Sequence, residues 1–181
     1  MKTGRIVIIT GSPGTGKTAA AAKTARESDF EKSVHMHTDD FYRCLSKGAV
    51  PPHLPGSEEQ NLVVIEAFLE AAKRYARGGY DVIVDGVVGP WFLAPFLRAA
   101  QEGYEVHYIV LRAAKAETLR RAAGRAKLSR EENLALVEAM WGQFADLCSY
   151  EPHVIDTTGQ TLEQTVSQVK SCLKERKNLL G

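Results

Sequence analysis

The segment Gly11-Ser12-Pro13-Gly14-Thr15-Gly16-Lys17-Thr18 constrains this chain more than any other. It matches G-x-x-x-x-G-K-[ST] at every fixed position. The residues before it, Arg5–Thr10, are apolar and β-branched, as in a buried strand. The residues after it, Lys17–Glu27, are alanine-rich and helical in preference. Glycines let the backbone turn so that successive N–H groups point into one concavity. The start of the following helix adds its dipole there, which favours an anion. Gly11, Ser12, Pro13, Gly14, Thr15, Gly16, Lys17 and Thr18 are therefore expected to cradle the phosphates of a nucleoside triphosphate, in the first instance Mg·ATP. Lys17 is placed to reach the β- and γ-phosphates, and Thr18 offers a hydroxyl to Mg²⁺. The alternative is a glycine-rich turn from strand to helix that holds nothing.

Downstream, short apolar runs alternate with longer helical patterns. Strands are expected at Ser33–His37, Tyr80–Asp85, Glu105–Leu111 and His153–Asp156. Helices are expected at 57–77, 91–102, 115–127, 130–147 and 162–176. Strands alternating with helices predict a three-layer α/β/α fold around a five-stranded parallel sheet. The 181 residues fit one domain, long enough to bury a core without staples. The irregular stretch Ser46–Gly56 holds Pro51, Pro52 and Pro55, and a loop this long in a compact domain is more often functional than not.

Composition narrows the partners. The formal net charge is +1, so no global field argues for nucleic acid or an acidic membrane. Cys44, Cys148 and Cys172 are dispersed and odd in number, which suits reduced thiols in the cytoplasm. No stretch approaches the ~20 apolar residues of a membrane span. A monomer and a homodimer both fit.

A phosphate loop alone does not name a reaction. The chain lacks the Asn-Lys-x-Asp of guanine recognition and the Leu-Ser-Gly-Gly-Gln of transporter ATPases. It does carry His37-Thr38-Asp39-Asp40-Phe41-Tyr42 directly after the second expected strand. Strand C-termini line the ligand crevice of an open parallel sheet. Neighbours on extended chain point to opposite sides, so one acid of the pair, Asp39 or Asp40, is expected to face the phosphates. The alternative is a pair that caps the next helix, and capping by Asp40 is compatible with catalysis by Asp39. Asp85 ends an apolar strand, where it could hold Mg²⁺ or simply start an Asp-Gly turn. His35 and His37 alternate on one strand face and read as ordinary strand histidines, since no third metal ligand is evident.

These features resemble the P-loop small-molecule kinases of the nucleoside-monophosphate-kinase fold, notably the shikimate/gluconate kinase-like and chloramphenicol phosphotransferase-like families. Asp-Asp-Phe-Tyr is also similar to the Asp-x-Phe-Tyr of uridine kinase and nicotinamide riboside kinase relatives. The resemblance implies ATP and Mg²⁺ as cofactors and a small-molecule hydroxyl as acceptor. It puts the presumed base, or substrate-orienting acid, on Asp39 and the Mg²⁺-holding acid on Asp85. It also implies a helical lid at about 112–130, with Arg121 near the adenine and Arg125 reaching the phosphates. Arg112, Arg120 and Arg130 belong to the same basic cluster, which could instead be a solvated face, with Glu117 pairing to Arg121.

The acceptor-binding segment falls at about 40–60 by the same resemblance. Arg43 could bind an anionic acceptor there, or be a surface residue. The continuation from Gly86 to Trp91 could line the acceptor pocket, or Trp91 and Phe92 could be plain core. Shikimate kinases have Asp-x-Asp where this chain has Asp-Asp, which argues against shikimate. Two other functions compete with a small-molecule kinase: an ATP-binding or ATPase regulatory module, and a kinase of a nucleotide-sugar or macromolecule.

Overall fold

The computed structural model describes residues 3–124 and 130–181. Its centre is a five-stranded, all-parallel sheet in the order β2-β3-β1-β4-β5. The strands are β1 (Arg5–Thr10), β2 (Ser33–His37), β3 (Asp81–Asp85), β4 (Glu105–Arg112) and β5 (Val154–Asp156). The helices are α1 (Lys17–Arg26), α2 (Thr38–Tyr42), α3 (Glu58–Arg77), α4 (Ala94–Gln101), α5 (Lys115–Ala123), α6 (Arg130–Gln143) and α7 (Leu162–Glu175).

Strand alternation divides the core into two layers. Ile6, Ile8, Val82, Val84, Val106 and Tyr108 face Phe68, Leu69 and Phe96 of α3 and α4. Val7, Ile9, Ile83 and Ile109 face Ala20 and Ala21 of α1 and Val166 and Val169 of α7. Helices therefore cover both faces of a continuously apolar sheet. The alanines of α1 leave no bulk between it and the strands, and the loop before it stays close to the sheet.

The expected helix over 91–102 is two pieces, a 3₁₀ turn at Pro90–Phe92 and then α4. Pro95 is the cause. It has no N–H to bond back into a preceding turn, so it sits near the start of a fresh helix. The short helix α2 was not expected. Among the described residues, no helix is long and apolar enough to cross a membrane.

Beyond α7 the chain returns to the sheet. Tyr108 N–H donates to the carbonyl of Asn178 at 2.8 Å, and Leu180 N–H to that of Val106 at 2.9 Å. This antiparallel tail lies along the part of β4 that the three-residue β5 does not reach.

Candidate active site

The loop between β1 and α1 takes the conformation its glycines allow. Gly14 has φ +92°, and a Cβ there would stand 2.6 Å from the carbonyl oxygen of Thr118. Gly16, at φ 87°, is the residue from which α1 starts. Inside the loop, the Thr15 hydroxyl donates to the carbonyl of Ser12 at 2.9 Å. The start of a ten-residue helix thus opens onto a loop held from within, an arrangement that suits a phosphate.

Asp85 lies beside this loop because β3 is the immediate neighbour of β1, in the register Ile9↔Asp85. The Thr18 hydroxyl donates to Asp85 Oδ2 at 2.6 Å. With its proton committed, that hydroxyl presents only lone pairs to a cation. The other carboxylate oxygen, Oδ1, lies 2.7 Å from His35 Nε2 and 3.0 Å from His37 Nδ1. Asp85 is fully buried. Burial alone pushes its carboxyl up. Hydrogen bonds from His35 and Thr18 and the charges of the two imidazoles outweigh that and leave it below the usual carboxylate range. The result is a fixed, ionised carboxylate next to a hydroxyl oxygen, a hard donor pair of the kind that suits Mg²⁺.

His35 and His37 are therefore not ordinary strand histidines; they brace Asp85 from β2. Their i,i+2 spacing was the available signal. Among the described residues, no group of three or more His, Cys, Asp or Glu could itself hold a metal ion.

Asp39 and Asp40 lie in the first turn of α2, not on extended chain, and neither caps the helix with its side chain. One helical step separates the two acids just as well. Asp39 turns to a cavity of about 680 Å³ and its Oδ2 lies 3.3 Å from His37 Nε2. Asp40 instead accepts from Arg43 at 2.7 Å, and both are exposed. Arg43 is not among the residues lining the cavity. His37 thus touches Asp85 with one ring nitrogen and Asp39 with the other.

Pro13 of the loop, Asp39 of α2 and Trp91 and Phe92 of the 3₁₀ turn share that cavity. The proline-rich stretch closes one side with Pro52, Leu54 and Pro55. Sequence reasoning missed what holds that stretch in place. Gln60 accepts from Val50 N–H at 2.8 Å and donates to its carbonyl at 2.7 Å. The buried Asn61 donates to the carbonyl of Pro52 at 2.8 Å and to Ser57 Oγ at 3.0 Å. Opposite, Val88 N–H donates to Thr10 Oγ1 and the Tyr108 hydroxyl to the Val88 carbonyl, both at 2.9 Å. These bonds pin the segment that follows Asp85.

A second cavity, of about 370 Å³, lies on the other side of the loop. It is lined by Gly14, Thr15, Gly16, Arg121, Gln160 and Thr161 among others. Arg121 is paired with Glu117, which also accepts from Gly159 N–H at 3.0 Å. Arg112 is held by partners elsewhere. It grips both oxygens of Glu151 at 2.8 and 2.9 Å and donates to the carbonyl of Ala145 at 2.9 Å. That guanidinium and Leu147 N–H hold the Glu151 carboxyl down at about 2. Arg125, expected at the phosphates, lies outside the described residues.

Among curated proteins, none matches the sequence. Solved structures match along nearly the whole chain. An APS kinase from Mycobacterium tuberculosis, in complex with AMPPNP and APS, superimposes with TM-score 0.73 at 16% identity, over 96% of this chain and 99% of that one. A gluconokinase from Sinorhizobium meliloti 1021 gives TM-score 0.65 at 18% identity, over 97% and 94%. The tunicamycin resistance protein of Deinococcus radiodurans gives 0.65 at 20%, over 98% and 99%. The fold is that of the P-loop kinases. The family described as "AAA domain" matches residues 6–148, from β1 past the end of α6, and to that family of P-loop proteins the chain belongs.

Proposed function

We propose that this protein is an ATP-dependent phosphotransferase that moves the γ-phosphoryl group of Mg·ATP to a hydroxyl of a small molecule. One observation carries the reading: Pro13 of the phosphate loop and the carboxylate of Asp39 line the same cavity. A hydroxyl compound seated there would lie between a phosphate-binding loop and a carboxylate able to orient it or take its proton.

In this reading residues 1–181 form one kinase domain, with an acceptor-binding segment at about 40–60 and a lid at about 112–130. Lys17 and the loop hold the phosphates, and the adenine occupies the second cavity, beside Arg121. Thr18 and Asp85 would hold Mg²⁺, which when bound neutralises charge on the β- and γ-phosphates. Asp39 orients the acceptor hydroxyl and accepts its proton. His37, hydrogen-bonded to Asp85 and close to Asp39, keeps the two carboxylates in fixed relation.

Asp39→Asn tests the assignment. ATP affinity should stay within about twofold, while transfer to an acceptor falls by about 10²–10⁴-fold. Unchanged turnover would remove Asp39 from the chemistry. An ATP-consumption screen over sugars, nucleosides, antibiotics and amino alcohols, with Asp39→Asn as the blank, finds the acceptor. A rate independent of every acceptor would favour an ATPase instead.

A further inference from the structure

The cavity beside the phosphate loop has a size common among small-molecule sites, and its wall is chemically lopsided. Tyr42, Leu54, Trp91, Phe92, Leu136 and Met140 form a broad apolar part. Trp91 is 48% exposed, although its pose is set. Its ring lies against Gly89, where a Cβ would come within 2.3 Å of it. It also meets Phe144 edge-on at 5.5 Å between centroids. A large flat ring is thus held in place with a face left for something else.

The acidic side chains on the wall are Asp39 and Glu58; His53 lines it as well, and among the described lining residues there is no Lys or Arg. One turn along α3 from Glu58 stands Asn61, which is 3% exposed. Its Nδ2 is committed to Pro52 and Ser57, which fixes the orientation of the amide. Among the described residues its Oδ1 is buried without a partner. A buried carbonyl without a donor is costly, and the missing partner is a donor. Residues three apart share a helix face, so one donor group can address both Asn61 and Glu58.

We infer, resting on the phosphotransferase reading, that the acceptor is an uncharged or cationic alcohol with a flat apolar body, and that anionic acceptors are rejected. The flat body packs against Trp91. A second hydroxyl or an ammonium donates to Asn61 Oδ1 and is balanced by Glu58. A carboxylate in that position would meet the Glu58 carboxylate and leave Asn61 unpartnered, which is discrimination by repulsion as well as by fit.

Tropic acid and two relatives make the test. In the relatives its carboxylate is replaced by a hydroxymethyl or an aminomethyl group, so phenyl ring and primary alcohol stay the same. Binding is read from the indole N–H signal of Trp91 in the full chain with a non-hydrolysable ATP analogue, assigned with Trp91→Phe. Transfer is read separately with labelled ATP. The diol and the amino alcohol should each bind at least about tenfold more tightly than tropic acid. Glu58→Lys should narrow the gap between amino alcohol and tropic acid, and Glu58→Gln, which keeps the shape, should do so by a smaller step. Tropic acid binding as tightly as the diol would overturn the inference, as would silence of the Trp91 signal with all three. The two readings fail differently. Binding in the expected order with no phosphoryl transfer would sink the phosphotransferase reading. Transfer to tropic acid or gluconate in preference to the neutral and cationic alcohols would keep that reading and sink this one.

Discussion

The hydroxyl of Thr18 and the carboxylate of Asp85 meet at 2.6 Å, although 67 positions separate them in the chain. One follows the phosphate loop and the other ends the adjacent strand. Their contact depends on β3 lying directly beside β1.

Asp85→Asn should break this arrangement without removing the loop. An amide offers one acceptor oxygen where the carboxylate serves three partners. The Mg²⁺-dependent part of ATP affinity, or the activity, should fall about 10–100-fold. Titration of ATP with and without Mg²⁺ separates that loss from any loss of loop binding. Equal Mg²⁺ dependence in both proteins would remove Asp85 from the metal site.

Gly86→Ala should be costly because of one neighbour. A Cβ on Gly86 would stand 1.9 Å from Thr38 Oγ1, 2.8 Å from its Cγ2 and 2.9 Å from its Cβ. Overpacking of this kind costs about 1–3 kcal/mol, and here it also pushes on the residue before Asp39. Thr38→Ala, which deletes two of the three clashing atoms, should restore part of the loss. Urea midpoints of the two single variants and the double variant measure the coupling; strict additivity would mean that the strain lies elsewhere.

Stability should fall with pH in the histidine range because of His107. This side chain is fully buried, its Nε2 lies 2.9 Å from Glu105 and its Nδ1 has no partner among the described residues. Burial lowers its pKa below the ordinary 6.5, against the pull of Glu105. Just below 6.5 the unfolded chain therefore binds a proton that the folded one does not. The stabilisation is complete above that pH and is lost as pH falls through the folded-state value. His107→Leu should flatten the slope of the urea midpoint between about pH 7 and pH 5. An unchanged slope would assign it to other groups.

The elements with a strong local pattern were legible in advance. β1 lies where its β-branched run lies, and the phosphate loop follows it with the bounds the motif requires. The position of Asp39 beside the crevice after β2 was legible, but α2 was not, because five residues cannot display a helical period. His35 and His37 were hidden for a different reason. Their partner is set by strand order, since β2 lies beside β3 in the register His37↔Asp85. Nothing local to β2 encodes that neighbour. Asn61 was hidden inside an amphipathic helix, where its position counts as core and its carbonyl cannot be seen to lack a donor. Arg112 counted as one more positive charge until the fold brought Glu151 to it.

The returning tail at 178–180 has a consequence for solution behaviour. β5 pairs with Val110–Arg112 only, so without the tail the backbone groups of β4 near Val106 and Tyr108 would form an open, apolar row at the sheet's flank. Such a row is a template onto which a strand from another molecule can add. Residues 178–180 cover that row, and displacing them from β4 would expose it.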